Sequence, residues 1–238
     1  MSNKDWFQQR LRDPFFLKAH RDKFRSRAAY KLKEILEKYR FIKPGNAVLD
    51  LGAAPGSWTQ VALTATGKSG LVVGIDLLAM EELEGARLLK GDIRDPEMQR
   101  EIKELAPHGF HCILSDMAPN TTGVHHADTS NSAELIHLAL DLCAVWLRFG
   151  GSFTAKIFEG AEYKELHMRA SRLFGFAKSY KPKASLAKSR EIYLVCQEYR
   201  GEGKDKRPEA SAKPEPRQDQ EENTIGLRKM GRPTGSRT

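Results

Sequence analysis

The chain has 238 residues, 40% of them hydrophobic, which suits one domain with a tail and a sizeable core. No apolar run approaches the roughly 20 residues of a membrane span, and the polar start Met1–Trp6 has no apolar signal core. The net charge of +8, with a pI near 9.4, suggests a polyanionic partner, although composition does not separate RNA from DNA or a membrane. Cys112, Cys143 and Cys196 lie in apolar segments without C-x-x-C spacing, which points to buried thiols in a reducing cytoplasm rather than a disulfide or zinc.

Residues 1–24 form a basic arm carrying Trp6, Phe7, Phe15 and Phe16, expected to pack partly on the domain. From Ser26 the stripe Ala28, Ala29, Leu32, Ile35 and Leu36 predicts a helix up to Tyr39, and Pro44-Gly45 a turn. Strands are expected near 47–51, 71–75, 86–90, 110–115 and 151–157, and helices near 58–66, 95–105, 131–147 and 162–174. Residues 177–180 and 191–198 read as a terminal strand pair. The alternation implies an α/β, Rossmann-like domain over 25–200, with a mostly parallel seven-stranded sheet and helices on both faces. Residues 201–238 carry nine basic and seven acidic residues with few large apolar ones, and are expected to be a disordered charged tail.

Basic residues cluster at two places. Met1–Lys43 has thirteen Lys or Arg against five Asp or Glu, and the acid-free stretch 178–190 adds Lys178, Lys181, Lys183, Lys188 and Arg190. Two such clusters beside an α/β core suit a surface that tracks phosphates.

Residues 48–58 read Val-Leu-Asp-Leu-Gly-Ala-Ala-Pro-Gly-Ser-Trp: an acid-tipped strand, a glycine turn and a helix start. Gly52 and Gly56 lack the Cβ that would keep a ligand from the backbone. The G-x-G-x-x-G spacing of a dinucleotide fold is absent, and no G-K-[ST] follows. A glycine turn without phosphate-binding residues suits S-adenosylmethionine, an adenosine compound that carries no phosphate.

Further acids recur at strand ends. Asp76 closes Leu-Val-Val-Gly-Ile-Asp and suits ribose hydroxyls; Asp92 follows the third strand and suits an adenine amino group; Asp116 ends the fourth strand. With Asp50 they form a row of four at successive strand tips, where carboxylates lower the energy of a sulfonium cation. Asp92 and Asp95 fit helix N-caps equally well.

Lys156 lies inside the fifth strand, where a lysine is seldom fully buried without a partner. Lys31, set opposite the Ala/Leu stripe, reads as a solvated helix charge, and Glu191 opens the last strand. His125-His126 lie in a polar loop over 121–131, without a third ligand at metal-binding spacing. Trp58 fits helix packing or a ligand contact.

Arg-Ser-Arg-Ala-Ala-Tyr-Lys-Leu, Leu-Asp-Leu-Gly-Ala-Ala-Pro-Gly-Ser-Trp, Ser-Asp-Met-Ala-Pro-Asn, Lys-Ile-Phe-Glu-Gly and Ser-Arg-Glu-Ile-Tyr occur in this order. Over about residues 13–199 the chain resembles the FtsJ/RrmJ-type family of ribosomal RNA large-subunit methyltransferase E proteins, which are 2′-O-methyltransferases. The resemblance implies a catalytic set of Lys31, Asp116, Lys156 and Glu191. It implies S-adenosylmethionine contacts at Gly56, Trp58, Asp76, Asp92 and Asp116, and no metal. Its substrate would be a uridine ribose in 23S ribosomal RNA within the large subunit, bound by a cytoplasmic monomer with no DNA or membrane partner. Two departures stand out: Lys-Ile-Phe-Glu-Gly replaces the usual Lys-x-Phe-Gln-Gly, and the tail is longer. The residues alone leave open a tRNA or other RNA target, a non-catalytic RNA-binding assembly factor, and whether Lys156 serves as base or cation.

Overall fold

A computed structural model describes residues 13–119, 125–186 and 189–201, without the side chains of 125–130. The first twelve residues of the arm, the side chains of His125 and His126, Lys188 and the tail beyond Gly201 lie outside the described residues.

The strands are β1 (Ala47–Leu51), β2 (Leu71–Asp76), β3 (Ala86–Lys90), β4 (Phe110–Ser115), β5 (Leu147–Phe158), β6 (Phe174–Tyr180) and β7 (Glu191–Tyr199). The helices are α1 (Pro14–Arg21), α2 (Ala28–Tyr39), α3 (Ser57–Thr66), α4 (Pro96–Leu105), α5 (His125–Trp146) and α6 (Tyr163–Leu173). All seven strands join one sheet in the order β3-β2-β1-β4-β5-β7-β6. Neighbours from β3 to β5 are parallel, and β7 runs antiparallel to both β5 and β6. This is the Rossmann-like sheet that the strand–helix alternation predicts. No described helix is long and apolar enough to cross a membrane.

Strand side chains alternate between faces, so the sheet has two cores. Val48, Leu114, Tyr193 and Val195 pack under α2 and α3 against Leu32, Ile35 and Trp58. Leu49, Ile113, Phe153 and Leu194 pack on the other face against Ile102 of α4, Ile136 and Leu140 of α5, and Leu166 of α6. Each such fully buried apolar side chain contributes roughly 1.5–3 kcal/mol. An exposed pair such as Arg100–Glu97 contributes about 0–1 kcal/mol, so the two cores decide the fold.

Local sequence sets the helix ends. Asp13 accepts from the Phe15 amide and Pro14 starts α1; Asp95 accepts from the Glu97 amide and Pro96 starts α4. Asp95 is therefore a cap. A small cluster of Ala19, Tyr30 and Ala184, joined by Phe15 and Phe24, fastens α1 to α2 and to the β6–β7 connection.

Several boundaries depart from expectation: α1 lies in the arm, where no helix is expected, and β6 begins at Phe174, paired with Tyr199, rather than at 177. The predicted loop over 121–131 is helical from His125 onward, because residues 125–130 are polar and carry no apolar stripe to signal a helix. Strand β5 begins at Leu147 rather than 151: Leu147 pairs with Phe110, and the register then shifts so that Ser152 pairs with Cys112. Gly150 takes φ +77° in that irregular stretch, and Gly150-Gly151 has no side chain to reveal a strand. The three cysteines are free and buried, and burial pushes the Cys112 thiol up to about 12.

Candidate functional site

The site begins where β1 ends. Gly52 has φ +73°, and a Cβ there would stand 2.8 Å from the backbone of Met117, the residue after Asp116. Gly56 caps α3 at φ +104°. Behind it lies Arg25, whose guanidinium donates to the carbonyls of Pro55 (3.0 Å) and Glu82 (2.8 Å). Arg25 thereby ties the glycine turn to the β2–β3 connection. Asp76 holds the same turn from the sheet side, accepting from the Ala54 amide at 3.0 Å and the Leu78 amide at 2.9 Å.

The row of acids is less uniform than strand tips alone predict. Asp76 is the last residue of β2, Asp116 follows β4 and Asp92 follows β3. Asp50 is instead the fourth residue of the five in β1 and fully buried. Its Oδ2 accepts from Thr59 Oγ1 at 2.7 Å, while Oδ1 has no partner among the described residues. Burial pushes the Asp50 carboxyl up to about 7; the Thr59 bond opposes that rise, and the nearby charges of Asp116 and Asp76 add to it. Asp92 carries a different load. Its carboxylate accepts from the Arg94 amide at 2.9 Å and pairs with the Arg94 guanidinium, whose hydrogen bonds lower its pKa.

At the carboxyl ends of β4 and β5 two lysine–carboxylate pairs meet. Lys156 is 9% exposed, and its Nζ lies 3.0 Å from Asp116 Oδ1 while donating to the Asp116 carbonyl at 2.7 Å. Lys31 Nζ lies 2.5 Å from Glu191 Oε1, and Ser185 Oγ donates to the same oxygen at 2.8 Å. Burial pushes the Glu191 carboxyl up, but the charge and hydrogen bond of Lys31, the Ser185 bond and the Lys156 charge outweigh it, leaving the pKa below its usual value. Between the pairs stands Tyr193. Its hydroxyl donates to Asp116 Oδ1 at 3.2 Å, and Lys31 Nζ lies 5.8 Å from its ring centre.

Lys31, Asp116, Lys156 and Glu191 are thus brought together from four elements. The reading of Lys31 as solvated is corrected: its side chain is 12% exposed. Lys31 is three residues after Ala28 and four before Ile35, so helical geometry sets it on their face of α2 rather than opposite. Gly56 and Asp76 meet at the glycine turn. Trp58 belongs to packing through its side chain, which is 2% exposed, donates from Nε1 to the Ala28 carbonyl and lies against Tyr193. Only its backbone is left at the start of α3, where amides have no intrahelical partner. Among the described residues no group of acids, histidines or cysteines could hold a metal.

Tyr193, Thr59, Arg25 and Ser185 escape the sequence reading. Period-2 alternation from Glu191 signals that Tyr193 shares its face. Arg25 acts on segments far along the chain, and Thr59 and Ser185 act across short turns, contacts that no sequence period reports.

A doubly wound sheet with an acid-lined glycine turn after β1, and buried lysine–carboxylate pairs at the adjoining strand ends, defines a Rossmann-like methyltransferase. The family model for FtsJ-like methyltransferases matches residues 24–199, and the chain belongs to that family. It is 48% identical over 188 residues to the ribosomal RNA large subunit methyltransferase E of Syntrophobacter fumaroxidans, covering 78% of this chain and 94% of that one. The protein of the same name from Acinetobacter baylyi is 43% identical over 197 residues, covering 82% and 91%. A crystal structure described as a ribosomal RNA methyltransferase from Plasmodium falciparum superposes with a TM-score of 0.68 at 33% identity, over 75% of this chain and 100% of that one.

Proposed function

We propose that this protein transfers a methyl group from S-adenosylmethionine to the 2′-hydroxyl of a uridine ribose in the 23S ribosomal RNA of the large subunit. The observation that carries the proposal is the meeting of the Lys156–Asp116 and Lys31–Glu191 pairs around Tyr193, beside the glycine turn. The substrate follows the names of the relatives, which describe methyltransferases of large-subunit ribosomal RNA.

The residues present fit the cofactor. Gly52 and Gly56 adopt positive φ where the backbone must approach a ligand, and Asp50 has a buried oxygen without a partner among the described residues. Gly56, the Trp58 backbone, Asp76, Asp92 and Asp116 would hold it. When bound, S-adenosylmethionine supplies a methyl group already activated on a cationic sulfur. The chain must then orient the 2′-oxygen and manage its charge.

Lys156 is the group assigned to that oxygen. With a carboxylate and a carbonyl as its partners, its amine is engaged as a donor, which suits stabilising the alkoxide as the proton leaves to water. Asp116 orients Lys156. Lys31 and Glu191 hold the ribose, and Tyr193 keeps the two pairs in register.

The test is methyl transfer from radiolabelled cofactor to undermethylated large subunits, with free ribosomal RNA and tRNA alongside. Label in subunits at one alkali-resistant dinucleotide supports the reading. Label in tRNA moves the substrate, and no label with cofactor bound replaces the enzyme by a binding factor.

A further inference from the structure

A cavity of about 380 Å³ opens at the same rim of the sheet, bounded by Glu159, Tyr163, Ser179, Tyr180, Lys181 and Ile192. That volume lies at the lower end for small-ligand sites. It adjoins the lysine–carboxylate centre through β7. Glu191 pairs with Phe158, and the Glu159 amide donates to the Arg190 carbonyl at 2.9 Å, closing the rim. Strand alternation sends Glu191 and Tyr193 to the α2 face and Ile192 to the α6 face, where it joins the core that Tyr163 packs against. The centre and the groove thus lie on the two faces of the first residues of β7.

The groove has the chemistry of a nucleotide. Tyr163 gives an aromatic wall, and its hydroxyl shares a 2.5 Å hydrogen bond with Ser179 Oγ, a polar pair able to meet a base edge. Lys181 is exposed, and its Nζ donates to the Ser189 carbonyl at 2.7 Å. An ammonium has three donors, so that bond leaves capacity for a phosphate. Lys183, also exposed, adds charge on the same connection.

We infer that this groove binds the nucleotide adjoining the methylated one, in a single-stranded RNA segment that crosses the rim over β7. The inference rests on the function proposed above. An unpaired base stacks on Tyr163 while Lys181 takes the phosphate between the two nucleotides, since aromatic walls and cations recognise single strands in this way. The groove therefore fixes which ribose reaches Lys156.

Two measurements test it on the RNA that wild-type protein methylates. In the first, Lys181→Glu and Tyr163→Leu are compared with Lys103→Glu, a matched charge reversal at an exposed site on α4. Each groove variant should raise KM for the RNA at least fivefold with kcat within twofold and cofactor affinity unchanged, while Lys103→Glu matches wild type. Unchanged KM in Lys181→Glu overturns the inference even if Tyr163→Leu fails to fold. In the second, Glu159→Cys carries a photoreactive label; the three native thiols are buried, so the new one reacts. A crosslink to the nucleotide next to the methylated ribose is expected, and a crosslink to a ribosomal protein or a distant nucleotide overturns the inference. Wild-type protein that labels no RNA removes the proposed function itself, an outcome visible before any variant is made.

Discussion

Lys156 and Tyr193 stand directly opposite each other in the antiparallel β5–β7 ladder and converge on one carboxylate, Asp116. Opposed residues in a sheet share a face and lie within reach of each other's partners. The ladder register therefore delivers the amine and the phenol to the tip of β4 without any loop. Burial foremost, with the charges of Asp116 and Glu191, raises the Tyr193 hydroxyl well above its usual pKa, so it stays a donor at any working pH.

Lys156→Met keeps the side-chain volume and removes the amine. Loss of a positioned group that handles charge or protons costs about 10²- to 10⁴-fold in rate. The expected result is a kcat lowered by that much, with cofactor affinity by calorimetry near wild type. Turnover within tenfold of wild type would remove Lys156 from the chemistry.

Glu191→Gln tests the second pair through pH. The folded carboxyl lies below its usual 4.5, so its ionised form contributes stability that is present above pH 4.5 and lost as pH falls through the folded value. The variant leaves Lys31 without its counter-charge and should be less stable at pH 7 by about 1–3 kcal/mol. That gap should close as the pH is brought below 4.5, read from urea midpoints. A gap that persists in acid would assign the loss to packing instead.

The fold was largely legible because strands of this sheet are short apolar runs between glycine or proline turns, and the six-residue β2 and β4 announce themselves. Lys31 was misread because it was set opposite the Ala/Leu stripe, although Ala28 at i−3 and Ile35 at i+4 place it on their face. The start of α5 was hidden because His125 to Ser130 carry no apolar period. Asp50 and Asp116 look alike in sequence, each closing an apolar run. Only the ladder register shows one inside the sheet and one beyond it. Ser185 reaches Glu191 across a turn, a geometry with no sequence period.

Two glycines of the turn should respond differently to alanine. Both have positive φ, which costs a side-chain-bearing residue about 1–2 kcal/mol. At Gly52 the added Cβ also meets the Met117 backbone at 2.8 Å, and relief requires moving the segment that carries Asp116. At Gly56 it meets an Arg25 guanidinium nitrogen at 2.7 Å, which can swing away. Gly52→Ala should lower both the melting temperature and the cofactor affinity more than Gly56→Ala, measured by thermal unfolding and calorimetry. The reverse order would mean that the Arg25 clamp, and not the Met117 approach, sets the shape of the turn.

Asp50 joins stability to function with opposite signs. Its carboxyl has an ordinary value of 3.8, and burial in the fold pushes it up to about 7. Below 3.8 both states hold the proton; between the two values the unfolded chain releases it and the fold does not. Stability conferred by the protonated group is therefore complete below 3.8 and lost as pH rises to about 7. Asp50→Asn has nearly the same shape, can still accept from Thr59, and does not titrate. It should match wild type at pH 4 and be the more stable protein at pH 8, by roughly 2–4 kcal/mol at about 1.4 kcal/mol per pKa unit. Urea midpoints at pH 4, 6 and 8 read this directly, and a difference independent of pH would mean that Asp50 is ionised throughout. The same substitution removes a buried carboxylate beside the glycine turn, where under the proposed function its charge would favour the cationic cofactor. The variant should therefore bind S-adenosylmethionine more weakly than wild type as pH rises past 7, while being harder to unfold.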